Sequence, residues 1–357
     1  MTTRLDTYRQ LGESGLFVSP LCLGAMSFGE EWGWGATEAD SLAIVDRYVD
    51  AGGNFIDTAD IYTQGTSERI VGKALSGRRD KVVLATKAAL NVSTRDPNAG
   101  GTSRKHLTQA LDRSLRRMGT DYVDLYWLHV HDGVTPVHET LRTVDDAVRA
   151  GKIRYVGVSN YPVRKVVEWQ MLARQHGLTP IVAAQYEYNL LTRGIEVEHV
   201  PAFAEFGIGQ VPWGPLAQGV LSGKYTRENR RPSDTKRADG ELTQGRLTDR
   251  AFDVLDAVGA IARETGESYA RVALTWLREQ PTVVSPIVGC RTQAQLDDLI
   301  DSLGLSLSPD ARAKLEAVSR LEAPYPFWSW PADQMDKKMR GGLTTVPWPY
   351  GSNRTSA

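Results

Sequence analysis

Four side chains in this sequence have the types and the spacing for proton chemistry: Asp57, Tyr62, Lys87 and His129. Asp57 ends the apolar run NFID (54–57), and Tyr62 lies five residues beyond it. Lys87 follows KVVLAT (81–86), and His129 follows YVDLYWL (122–128). A phenol with a pKa of about 10 is a poor acid at neutral pH. A neighbouring ammonium favours the phenolate and lowers that value, and Lys87 can supply one. Asp57 would hold Lys87 charged and oriented, and His129 would offer a hydrogen bond to a substrate oxygen. Groups suited to hydrogen bonding or stacking close the next runs: Asn160 after YVGVS (155–159), Gln185 ending IVAAQ (181–185) and Trp213 ending IGQVPW (208–213).

These residues can meet only if their runs lie side by side with C-terminal ends on one face. With PLCLGAM (20–26) and VVSPIVG (283–289) there are eight such runs, near-continuously apolar, as strands buried on both faces should be. Helical segments separate them. The clearest begins after Ser103, a good N-cap, carries Leu107, Leu111, Leu115 and Met118 on one face, and meets Gly119 past its end. Another opens with Thr135-Pro136 as cap and first turn and carries Leu141, Val144 and Val148. Eight strand–helix alternations predict an α/β fold, a (β/α)8 TIM barrel forming a single domain over 1–357, with the site at the C-terminal ends of its strands. A doubly wound nucleotide fold is disfavoured, since no G-x-G-x-x-G follows the first strand. Three segments fall outside the units. Residues 8–19 read as a hairpin capping one end, and 222–250 as a long mobile loop after strand seven. The tail 322–357 holds five of the 17 prolines with Trp328, Trp330 and Trp348, which reads as irregular, non-helical chain packed by its aromatics.

Composition narrows the function classes. Of 357 residues, 41% are apolar and 24% charged, as in a globular protein with a sizeable core. The 42 basic and 43 acidic residues leave a net charge of −1, which argues against a nucleic-acid partner. No apolar stretch approaches the roughly 20 residues of a membrane-spanning helix, and no signal-peptide pattern opens the chain, so a cytoplasmic protein with no membrane partner is expected. Two cysteines, Cys22 and Cys290, cannot make a disulfide framework.

The chain resembles the aldo-keto reductases. The motifs that carry the likeness are NFIDTADIYTQGTSERIVG (54–72), VVLATK (82–87), DYVDLYWLH (121–129), GKIRYVGVSN (151–160), PWGPLAQGVLSGKY (212–225) and SPIVGCRTQAQL (285–296). They span nearly the whole chain in the family's order, and the fifth resembles the branch of bacterial reductases and potassium-channel β subunits. The resemblance implies an NADPH-dependent oxidoreductase that reduces aldehydes or ketones to alcohols. Tyr62 would be its general acid, Lys87 and Asp57 the tuning pair, and His129 the carbonyl orienter, with no metal required. It further implies that Ser159, Asn160 and Gln185 hold the nicotinamide amide, helped by Asp57, with Trp213 stacked on the ring. Gly214, Pro215, Leu216, Gln218, Gly219 and Lys224 would follow the pyrophosphate. Gly289, Arg291 and Gln295 would meet the adenosine end, Arg291 being suited to a 2′-phosphate, hence NADPH over NADH. Where the family has an adenine-binding asparagine four residues past Gln295, this chain has Leu299.

Two other functions fit parts of the pattern. A cofactor-sensing regulatory subunit with little turnover is the alternative, against which the full acid set argues. His129-Val-His131 mimics the H-x-H of metal-dependent hydrolase barrels, but only Asp57 could add a ligand at a strand end. Trp32 and Trp34, in the loop after the first strand, are expected to wall a substrate pocket for a bulky apolar or cyclic carbonyl. Arg104, Lys105, Arg113, Arg116 and Arg117 read as a solvated basic face. A homo-oligomer stays open.

Overall fold

The computed structural model describes residues 3–93, 95–232, 240–322, 324–329, 334, 337–339 and 341–343. The strands are β1 (Arg9–Gln10), β2 (Phe17–Val18), β3 (Cys22–Gly24), β4 (Phe55–Asp57), β5 (Val83–Ala88), β6 (Val123–Leu128), β7 (Ile153–Ser159), β8 (Ile181–Gln185), β9 (Gly209–Gln210) and β10 (Ile287–Val288). The helices are α1 (Glu38–Asp50), α2 (Thr66–Ala74), α3 (Arg104–Met118), α4 (Val137–Arg149), α5 (Val163–His176) and α6 (His199–Phe206). They continue with α7 (Glu241–Gln244), α8 (Asp249–Thr265), α9 (Tyr269–Arg278), α10 (Gln293–Asp301) and α11 (Pro309–Ser319).

β3 to β10 form one parallel sheet in the order β10-β3-β4-β5-β6-β7-β8-β9. The segment before β10 also reaches β9, through Val284 N–H to Gln210 O and Ile287 N–H to Pro212 O, both 2.8 Å. The sheet therefore curls back on itself as a (β/α)8 barrel. Inside it lie Cys22, Phe55, Ala85, Leu125, Trp127, Ala183 and Val211, with Leu11 and Val18 of the β1–β2 hairpin plugging the N-terminal end. Gly157 exists for this packing, because a Cβ there would come within 2.3 Å of the Trp127 ring. A larger apolar layer fills the space between sheet and helices.

α3 forms as its sequence dictates. The Ser103 hydroxyl accepts the His106 N–H, Gly119 ends the helix at φ 64°, and the four expected apolar residues are buried. Each such side chain contributes about 1.5–3 kcal/mol of transfer free energy. α4 departs from expectation. Its N-cap is Pro136, and the Thr135 hydroxyl is drawn instead to Asp132 at 2.6 Å. Asp132 also accepts from the amides of Thr102, Val134 and Thr135. The basic face of α3 is likewise only partly solvated: Arg117 turns inward to the fully buried Glu68.

A second apolar cluster joins α8, α9 and α11, helices that the eight-unit reading did not separate. Residues 233–239 of the expected loop after strand seven lie outside the described residues, and its described end is ordered by the ion pair of Arg246 with Glu187 at 2.7 Å. The tail expectation is corrected where it can be seen. Tyr325, Phe327 and Trp328 are exposed rather than packed, and Lys337–Met339 are helical; Trp330 and Trp348 lie outside the described residues. Among the described residues no helix is long and apolar enough to cross a membrane.

Candidate active site

The strand ends converge as the sequence reading requires. β4 ends on Asp57, β5 carries Lys87, and His129 follows β6, its N–H bonded to Ala88 O at 2.9 Å. Lys87 is fully buried and donates to Asp57 Oδ2, to Thr58 O at 2.8 Å and to the Tyr62 hydroxyl at 3.1 Å. The Asp57 carboxylate and the Thr58 carbonyl can only accept, and with the Tyr62 oxygen as a third partner the arrangement suits an ammonium at Lys87. Burial works against that charge, but the Asp57 carboxylate and the Tyr62 oxygen outweigh it and raise the Lys87 pKa. Burial pushes the Asp57 carboxyl up while Lys87 pulls it down, and Gln185 Nε2 holds Asp57 Oδ1 at 3.1 Å.

One expectation is reversed here. Burial raises the Tyr62 pKa, the Lys87 ammonium pulls it back, and Asp57 raises it again, so the net direction is upward rather than downward. The phenol is therefore protonated at neutral pH. Because Lys87 donates to its oxygen, the Tyr62 proton is left to point elsewhere. His129 stands beside it, ring centroids 5.9 Å apart and nearly perpendicular. Burial and the Lys87 charge lower the His129 pKa to about 3, so this imidazole is neutral.

Trp32 meets Tyr62 edge-on at 6.2 Å and stacks obliquely with Trp34 at 5.4 Å, which places the tryptophan loop at the site. Asn160 is left-handed at φ 54°, a conformation asparagine tolerates. Its Nδ2 donates to His129 O and Ser159 Oγ, and its Oδ1 accepts from Trp213 Nε1 at 3.2 Å. Ser159, Asn160, Gln185 and Trp213 thus form an arc beside Lys87. Beyond Trp213, the chain from Gly214 through Pro215 and Leu216 turns left-handed at Gly214, Ala217, Gln218 and Gly219. The turn is held by its own backbone, Ala217 N–H bonding Gly214 O at 2.9 Å and Gly219 N–H bonding Leu216 O at 2.8 Å. Lys224, five residues past Gly219, and Gly289, just after β10, are exposed, and Arg291 N–H is bonded to Gln295 Oε1 at 2.9 Å. The side-chain donors fit a nicotinamide dinucleotide: the amide groups of Asn160 and Gln185 beside the Lys87–Asp57 pair, and the Arg291 guanidinium for a phosphate. Leu299 is buried in the core face of α10.

Two residues in the site were not singled out from the sequence. Asp60 is buried with no side-chain hydrogen-bond partner for its carboxylate, and Thr63 is a buried β-branched residue at φ 44°. Both depend on tertiary surroundings that no spacing rule reports. His131 is set apart from the four, its Nδ1 accepting from Gly133 N–H and its ring against Tyr161. Among the described residues no three His, Cys, Asp or Glu side chains are grouped to hold a metal ion.

Comparison with known proteins agrees with this geometry. The model of the "Aldo/keto reductase family" matches residues 20–320. An uncharacterized oxidoreductase, YrpG, of Bacillus subtilis (strain 168) is 38% identical over 87% of this chain and 95% of its own length. A versiconal hemiacetal acetate reductase of Aspergillus parasiticus is 34% identical over 89% and 96%. A probable voltage-gated potassium channel subunit beta of Oryza sativa subsp. japonica is 36% identical over 87% and 96%. The chain belongs to the aldo/keto reductase family.

Proposed function

We propose that this protein reduces aldehydes or ketones to alcohols with NADPH, Tyr62 being the proton donor. The observation that carries the reading is the buried Lys87 ammonium, held by Asp57 and Thr58 and donating to the Tyr62 oxygen. When bound, the nicotinamide supplies the hydride. The residues do the rest. Neutral His129 and the Tyr62 hydroxyl bind the carbonyl oxygen and polarise it as donors. As charge develops on that oxygen, Tyr62 passes its proton to it; an alkoxide is a far stronger base than a phenolate, so the transfer is downhill even with a raised phenol pKa. The phenolate left behind is stabilised at once by Lys87. Asp57 and Gln185 fix Lys87 in place, and Asn160, Ser159 and Trp213 orient the ring that faces the substrate. Arg291 favours the 2′-phosphate of NADPH over the hydroxyl of NADH.

The test is NADPH consumption with a panel of aliphatic and aromatic aldehydes and ketones, alongside binding titrations with NADPH and NADH. Turnover with tighter NADPH binding is expected. The second reading, a nicotinamide-sensing subunit, draws support from the similarity to the rice channel-subunit protein, and it is the outcome if NADPH binds but no carbonyl in the panel is reduced.

Trp32, Trp34 and Tyr62 make an aromatic mouth, and exposed Leu90 and Val134 add apolar surface on the loops after β5 and β6. Such a mouth suits a bulky, flat or cyclic carbonyl. Trp32→Ala is expected to raise KM for aromatic ketones about tenfold, roughly one aromatic contact, and to leave short aliphatic aldehydes unaffected. Equal KM values for both classes in mutant and wild type would remove Trp32 from the substrate wall.

A further inference from the structure

Directly after Tyr62 the chain makes a turn that L-residues rarely adopt. Thr63 (φ 44°, ψ 42°), Gln64 (φ 55°, ψ 34°) and Gly65 (φ 88°) are left-handed in succession. Asparagine and glycine visit this region readily, whereas a β-branched residue does so only where its surroundings impose it. Thr63 is 1% exposed, and its hydroxyl makes two bonds. It donates to Phe28 O at 2.8 Å and accepts from Ser67 N–H at 3.0 Å, the second of these fixing the first turn of α2. Phe28 and Ser67 are themselves fully buried, so neither backbone group has water to turn to.

Phe28 stands at the neck of the tryptophan loop. Ala36 N–H bonds Ser27 O at 2.7 Å and Gly29 N–H bonds Ala36 O at 3.0 Å, closing the loop that presents Trp32 and Trp34. The loop approaches the turn so closely that a Cβ on Gly29 would lie 3.1 Å from the Thr63 hydroxyl and 3.1 Å from the Thr66 methyl. A second tie, between the Glu31 carboxylate and the Thr66 hydroxyl, joins the loop to the same turn from its exposed side.

We propose that Thr63 is a positioning residue, whose buried hydroxyl and strained turn lock the Tyr62 phenol and the Trp32 loop into one rigid unit, so that the proton donor and the substrate wall are placed together. The role in turnover rests on the reductase reading above; the mechanical coupling does not. The left-handed turn aims Tyr62 back at Lys87, and the bond to Phe28 carries that aim to the loop whose tryptophan touches the same phenol.

Thr63→Val keeps the shape and removes both hydrogen bonds, while Thr63→Ser keeps both bonds. In Thr63→Val, kcat is expected to fall about 100-fold, as for a displaced reacting group, with KM for aromatic ketones raised and NADPH affinity within twofold of wild type. Thr63→Ser should return kcat to within about threefold. The coupling is read without turnover by 19F NMR of protein carrying 3-fluorotyrosine and, separately, 5-fluorotryptophan, with the Tyr62 and Trp32 resonances assigned by Tyr62→Phe and Trp32→Phe. Both resonances should move in Thr63→Val and return in Thr63→Ser, while Trp276, in the other apolar cluster, stays in place. If Thr63→Val fails to fold, Glu31→Ala cuts the exposed tie and must shift the Tyr62 resonance by itself. A Thr63→Val protein with wild-type kcat overturns the positioning role, and movement of only one of the two resonances overturns the coupling. If wild type reduces no carbonyl, the reductase reading falls while the resonances still decide the coupling.

Discussion

Tyr62→Phe should lower kcat for carbonyl reduction by about 10²–10⁴-fold, the usual contribution of a positioned general acid, and leave NADPH binding unchanged. The change deletes one oxygen from a site that is otherwise held from elsewhere. Lys87 keeps Asp57 and Thr58 O, and Gln185 keeps Asp57. The loss therefore falls on the chemical step, and single-turnover measurement of NADPH oxidation is the reading to take. The pH profile carries a second expectation. With His129 depressed to about 3 and Lys87 raised, neither should titrate between pH 6 and 8, so wild-type single-turnover rates should carry no imidazole ionisation in that range. Retained single-turnover rate in Tyr62→Phe would assign the proton to another group.

Asp60→Asn should stabilise the protein, and only at higher pH. Burial and the neighbouring Glu68 carboxylate push the Asp60 carboxyl up to about 7 from an ordinary 3.8, against the pull of Arg117 and Arg113 on α3. Neither oxygen has a side-chain partner, and the Ile61 amide beside it offsets only part of the burial. For a carboxyl raised in the fold, the unfolded chain releases its proton first. The native state is therefore penalised progressively as pH rises from about 4 through about 7, and fully above that. A gap of roughly three pKa units corresponds to about 4 kcal/mol at most, and water penetration lowers the expectation to about 2–4 kcal/mol at pH 8. Urea unfolding of wild type and Asp60→Asn at pH 4 and pH 8 should show near-equal stabilities at the first and the variant ahead at the second. Equal stabilities at both would mean that Asp60 is charged and solvated in the fold.

Asp60 also marks where sequence reading stops. Asp57, Lys87 and His129 were legible because each closes an apolar run, and a barrel gathers strand ends by construction. α3 was legible because Ser103 and Gly119 act on their own neighbours. α4 was misplaced by one residue because Asp132 competes for the Thr135 hydroxyl from outside the helix. The direction of the Tyr62 pKa was missed for a similar reason: the ammonium could be inferred from type and spacing, the burial that outweighs it could not. Arg117 looked like surface until the fold set it against Glu68. The left-handed φ of Thr63 has no sequence signal, since threonine rarely adopts it.

The Ser285 hydroxyl bonds Ser19 O across 266 positions of chain, and β10 pairs with β3 beside it. The seam that completes the barrel is thus made by the first and the last strand of the eight-stranded sheet in chain order. Contacts of such span are slow to form, because the loop-closure entropy must be met before any of the contacts exist. During that interval β3 and β9 both present bare parallel edges, and a bare edge is a template for another chain. A chain that has not reached residue 282 already holds most of the active-site residues on an open sheet, and it is the pairing of β10 with β3 and of the 283–287 segment with β9 that covers those edges.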